Sequence, residues 1–196
     1  MKKKYRRFRS TKPKKQINIA KWHSNTRKIL NFMMVVASGL LCLLLLPTRL
    51  PGMELLGMGP NWLLIWVVAW SVKRSAFSGA IAGLVLGLIQ DGMTSAYPSH
   101  AIGLACVGIL SSRLKKQRYI EEDFISVALI VFAMALIAES VLALQFIGVS
   151  DRNIGEMWML HQRIALASAI LSSLWAPVIY YPLNIWWQKL NLLEQS

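Results

Sequence analysis

The stretch Ser78-Gly-Ala-Ile-Ala-Gly-Leu-Val-Leu-Gly-Leu-Ile-Gln-Asp91 decides how the chain is read. Its glycines, Gly79, Gly83 and Gly87, stand four residues apart, so in a helix they share one face. A stripe without side chains lets another helix come to backbone contact, which is how helices pack in lipid. The run is apolar until Asp91, and an acid there is costly unless it is paired or wetted.

The surrounding composition supplies the lipid. Of 196 residues, 55% are hydrophobic, more than a water-soluble domain of this size can bury. Several apolar runs approach bilayer length, and none alternates as barrel strands do. Only helices and closed barrels satisfy their backbone in lipid, so the expected fold is an all-α polytopic membrane protein.

The net charge of +13 points to topology rather than to nucleic acid. Most of the excess lies in an arm, residues 1–28, with Lys2-Lys3-Lys4, Arg6-Arg7, Arg9, Lys12, Lys14-Lys15, Lys21 and Arg27-Lys28. The arm has no acid and little apolar content, so it is expected to be disordered. It reads either as an extended positive-inside signal or as a lipid-binding segment, and both place the N-terminus in the cytoplasm. The long apolar core Ile29–Leu46 is followed by Pro47-Thr-Arg-Leu-Pro51 and not by an Ala-x-Ala site, which predicts an uncleaved first span.

Five further runs follow: Asn61–Val72, Ser75–Gln90, Ala101–Leu114, Phe124–Val149 and Ile164–Trp187. The segment before the second run, Pro51–Pro60, is apolar but full of breakers. The second run covers only about 18 Å, well below the roughly 30 Å hydrocarbon core. Pro177 and Pro182 are expected to bend the sixth, and Tyr180, Tyr181, Trp186 and Trp187 to form an interfacial belt. The expected architecture is six transmembrane helices over 29–190, both termini cytoplasmic, and a cytoplasmic tail over 191–196. Charge supports that partition: Lys73, Arg74, Arg113, Lys115, Lys116, Arg118 and Lys189 fall with the arm inside, against Arg49, Arg152 and Arg163 outside.

Chemistry is sparse. The histidines, His23, His100 and His161, lack metal-ligand spacing, and there is no nucleophile elbow or phosphate-cradling loop. Cys42 and Cys106 sit inside apolar runs and read as small buried hydrophobes. The glycine stripe is no nucleotide fingerprint, because it lies within a membrane helix and not after a strand. No catalytic, cofactor or metal residue is expected.

The remaining candidates are two acids. Counting from Arg74, Asp91 stands about 25 Å along its helix; counting from Phe124, Glu139 stands about 22 Å along its own. Both fall near the outer edge of the hydrocarbon core. One reading is a polar pocket opening outward between helices three and five, able to bind a cation, a solute or a partner side chain. The other is structural: Glu139 protonated, or paired through a hydroxyl such as that of Ser140 or through water, and Asp91 capping the fourth helix or its loop.

Arg74-Ser-Ala-Phe-Ser-Gly79, then Gly83-Leu-Val-Leu-Gly87-Leu-Ile-Gln-Asp91, then Pro98 and Gly103-Leu104, resembles the rod shape-determining protein MreD family. The resemblance is best over residues 62–144. The long basic arm and the loop Tyr97-Pro98-Ser99-His100 depart from the family pattern. The resemblance implies a non-enzymatic subunit of the cell-elongation (rod) complex in the bacterial plasma membrane, with a role in peptidoglycan synthesis. The partners it implies are an MreC-like bitopic protein, MreB, and a RodA-type glycosyltransferase paired with a class B penicillin-binding protein. It also implies a fold similar to the six-helix substrate-binding subunits of energy-coupling vitamin transporters. The alternative function is therefore a solute-binding subunit of such a transporter.

Overall fold

The computed structural model describes residues 24–48, 54–55, 57–94, 98–114, 124–147 and 154–194. Within them run six helices: α1 (Ser24–Leu45), α2 (Trp62–Ser71), α3 (Ala76–Met93), α4 (His100–Leu114), α5 (Phe124–Ile147) and α6 (Ile154–Glu194). Three stretches are long and apolar enough to cross a bilayer: Ala76–Met93, Phe124–Phe146 and Gln162–Lys189. The apolar part of α1, Ile29–Leu45, together with α2 and α4, is shorter. Where six spans are expected, the described residues form six helices, of which three have spanning length. The arm lies outside the described residues up to position 23, and helix has begun at Ser24, ahead of the expected start at Ile29.

The shortest helix sits at the centre. α2 is apolar around its whole circumference, as a helix enclosed on all sides must be. Nine of its ten residues are buried, with Leu63, Leu64 and Val67 fully so. It touches all five other helices. Around it, α3, α4, α5 and α6 pack in chain order, each against the next, while α1 lies against α2. Asn61 starts α2 by accepting a bond from the Leu64 N–H at 3.1 Å, and its own N–H donates to Ser172 Oγ of α6 at 2.9 Å. The Trp66 indole N–H donates to Ser38 Oγ of α1 at 2.9 Å. The breaker-rich segment before α2 contains a tight turn in which Leu55 and Met58 exchange two backbone bonds, with Gly57 at φ 77°. That backbone conformation suits a residue without Cβ.

The outer faces are apolar. Phe77, Ile81, Leu84 and Leu88 on α3, and Ile125, Leu129 and Leu144 on α5, are exposed. In water such a surface would drive association, whereas in a bilayer it meets its own kind of solvent.

α6 begins at Ile154, ahead of the sixth run expected from Ile164, so Glu156, His161 and Arg163 belong to its first turns. Its 41 residues extend about 61 Å, twice a hydrocarbon core, so a polar end can stand clear of the lipid as helix. Of the four aromatics expected to form a belt, Tyr180 and Trp187 are buried and pack inward, while Tyr181 and Trp186 are half-buried. The Trp187 ring meets Trp70 of α2 edge-on at 5.6 Å, and Trp70 stacks on Trp66 at 5.5 Å. Their inward aim follows from α6 lying against α2 at this end.

Candidate functional site

The glycine stripe brings α3 into backbone contact with α4. Gly79, Gly83 and Gly87 are buried on one face of α3, against α4. A Cβ at Gly83 would collide with the Leu104 carbonyl oxygen and stand 2.5 Å from its carbon. One at Gly87 would strike the Ala101 Cα, and one at Gly79 the Gly108 carbonyl oxygen. Gly108 is the reciprocal case, since its Cβ would meet the Gly79 carbonyl. Rising numbers on α3 meet falling numbers on α4, so the pair is antiparallel with backbone against backbone. At Gly83, Gly87 and Gly108 every obstructing atom is main chain, which cannot swing aside as a flexible side chain can; at Gly79 the Ser71 Oγ of α2 stands 2.7 Å away as well.

At the end of that seam lies Asp91. Ser99 Oγ donates to its Oδ2 at 2.7 Å, and the His100 backbone N–H donates to its Oδ1 at 2.7 Å. His100 Nδ1 lies 2.8 Å from the same Oδ1, and the Ala101 N–H reaches Oδ2 at 3.4 Å. Two of these donors are backbone groups at the start of α4, which lack partners within their own helix. Asp91 therefore caps α4 from α3, and its negative charge complements the positive end of the α4 dipole. The carboxylate is 9% exposed. Its cost of burial is met by charge-assisted bonds.

The loop is gripped from the other side by α5. Gln145 Oε1 accepts from the Ser99 N–H at 2.9 Å, and its Nε2 donates to the Ser99 carbonyl at 3.0 Å. Sequence reasoning missed Gln145. A polar amide near the end of an apolar run was the available signal. Asp91 and Gln145 together fix the start of α4 against both neighbours, α3 and α5.

Ser99, Asp91 and His100 stand in hydrogen-bond reach, but in an order unlike a nucleophilic triad. There the imidazole lies between hydroxyl and carboxylate and takes the hydroxyl proton. Here the carboxylate lies between, and the hydroxyl donates to it. The arrangement is built to hold a helix start.

Glu139 occupies different ground. It lines a cavity of about 370 Å³ between α5 and α6 with Ser140, Gln162 and Leu166. Glu139 thus faces α6, while Asp91 is bonded at the α3–α4 end, and the two acids line no common cavity among the described residues. Among the described residues, no group of three His, Cys, Asp or Glu side chains is placed to hold a metal. Cys42 is buried and Cys106 half-buried, each as a free thiol.

The second cluster is at the opposite end of α3. Lys73 Nζ donates to Asn184 Oδ1 of α6, tying the α2–α3 turn to that helix. Arg74 places its guanidinium 3.8 Å from the centre of the Trp70 ring, a cation–π contact.

No curated protein and no solved structure matches the chain. A family model does: rod shape-determining protein MreD, over residues 26–190. The match covers the six helices almost end to end, including the glycine seam and the Asp91 clasp. The chain belongs to the MreD family, membrane proteins that take part in determining rod shape.

Proposed function

We propose that this chain is a non-enzymatic, multi-pass inner-membrane subunit of the cell-elongation complex. In this reading it scaffolds an MreC-like bitopic partner and, through it, MreB and the peptidoglycan synthases: the RodA-type glycosyltransferase and its class B penicillin-binding protein. Both chain ends lie in the cytoplasm, where the basic arm faces anionic lipid. The observation that carries the reading is the α3–α4 clamp. Its glycines lie against the main chain of α4, and its one acid is committed to the start of α4. Such a site holds shape, as a docking subunit must.

A second reading, a solute-binding subunit of an energy-coupling transporter, rests on the Glu139 cavity. Its volume, about 370 Å³, lies within the range of small-molecule sites, and Gln162 and Ser140 add polar groups. Purifying the tagged full chain in a mild detergent, followed by mass spectrometry, separates the two. Recovery of an MreC-like protein and a RodA-type enzyme is the expected result. Stoichiometric recovery of a small molecule with an ATPase module favours the second reading and defeats the first.

A further inference from the structure

Between α1 and α3 runs an open apolar groove of about 510 Å³, floored by Trp66 and Trp70 of α2. Val36 and Leu40 form one wall, Phe77 and Val85 the other. Along α3 it extends from Phe77 to Ile89, a rise of about 18 Å. That is close to the depth of one leaflet, about half of a 30 Å core. A spanning helix would need a track of the full thickness.

One end of the groove is charged. Arg74 sits immediately before α3, its guanidinium over the face of Trp70, the ring that also floors the groove. Among the described residues Arg74 has no ion pair. The first turn of α3 carries no acid, so the positive end of that helix adds to the same potential. Partial burial draws the Arg74 pKa down, but a guanidinium in this position remains charged. The neighbouring cation, Lys73, is turned toward α6 and Asn184.

We infer that this groove holds one anionic phospholipid of the leaflet at the Lys73–Arg74 end, its phosphate on Arg74 and one acyl chain lying over Trp66 and Trp70. The inference rests only on the helices lying in a bilayer, not on the role proposed in cell elongation. The acyl chain contributes little preference, since free lipid is as apolar as the groove. Discrimination comes from the headgroup: one cation near the membrane surface favours an anionic lipid about fivefold.

The test is native mass spectrometry of the full chain, mixed in detergent with equal amounts of phosphatidylglycerol and phosphatidylcholine bearing the same acyl chains. The wild type is expected to carry a single phosphatidylglycerol about five times as often as phosphatidylcholine. Arg74→Gln should bring that ratio to about one, whereas Arg163→Gln, at the far end of the bundle, should leave it unchanged. Ala82→Trp fills the groove and should lower both adducts at least threefold. Equal retention of the two lipids by the wild type overturns the inference, as does an unchanged ratio in folded Arg74→Gln. Should Arg74→Gln not fold, the wild-type ratio and Ala82→Trp still decide. A photocrosslinker at Val85 provides the last arm: in cells it should capture lipid, and capture of a polypeptide would assign the groove to a partner helix instead.

Discussion

The Asp91 carboxylate accepts the backbone N–H of His100 at 2.7 Å and lies 2.8 Å from the same residue's ring nitrogen, so the last turn of α3 holds the first residue of α4. Together with the glycine contacts along the seam, this joins the two helices over most of their length. It makes α3 and α4 one unit, presented to the rest of the membrane as a single surface.

The first prediction concerns that carboxylate. Asp91→Asn keeps the shape but removes the charge and replaces one acceptor oxygen by a donor, which then faces the donors of Ser99 or Ala101. The expected cost is about 1–3 kcal/mol of stability, read as a lower unfolding midpoint in detergent. Asp91→Glu should also be impaired, because its longer side chain no longer fits the start of α4. An unchanged midpoint for Asp91→Asn would remove the capping role.

The seam predicts a contrast between glycines. Gly83→Ala drives a Cβ into the Leu104 main chain, and separating the helices to relieve it should cost at least about 1–3 kcal/mol. Gly92→Ala, in the same helix, meets nothing within 4 Å. It should be neutral or stabilising by up to about 1 kcal/mol, since alanine favours helix. Equal melting temperatures for the two variants would contradict the close packing described.

Gln145 and Asp91 hold the same loop residue, Ser99, from two helices. Gln145→Ala should destabilise by about 1–2 kcal/mol through two lost bonds. In combination with Asp91→Asn the effects should fall short of their sum by at least about 0.5 kcal/mol, because residues in one network couple. A double-mutant cycle on unfolding free energies checks this. Strict additivity would show that the two grips act independently.

Leu63 is fully buried within α2. Leu63→Ala should cost about 2–5 kcal/mol, as large-to-small changes in close-packed cores do. Leu88→Ala, on the exposed face of α3, should cost much less. A comparison of denaturation midpoints in the same detergent distinguishes a central α2 from a peripheral one.

These elements differ in how far they could be read in the sequence. The seam was legible because glycine at a four-residue period has a face and nothing else on it. The central place of α2 was not. A helix apolar all round has no face to read, and ten residues fall short of a span. Asp91 and Glu139 were placed at similar depth, but depth is one coordinate and direction around the helix axis another. In the structure Asp91 serves the α3–α4 end while Glu139 faces a cavity between α5 and α6. The start of α6 was missed because Glu156, His161 and Arg163 signal exposure to water, which a helix emerging from lipid shares with a loop. Tyr180 and Trp187 were read by their place near a span end, and their burial is set by α2, which the sequence does not show beside them.

On the proposed function, the α3–α4 unit acts as a rigid scaffold for its partners. Cells depleted of the native protein and supplied with Gly83→Ile or Gly92→Ala, at matched membrane levels, test it directly through cell shape and recovery of the MreC-like partner. Gly92→Ala should restore rods and full partner recovery. Gly83→Ile should leave cells round, with partner recovery reduced at least fivefold. Rod-shaped cells with normal partner recovery in Gly83→Ile, present at wild-type level, would contradict the account.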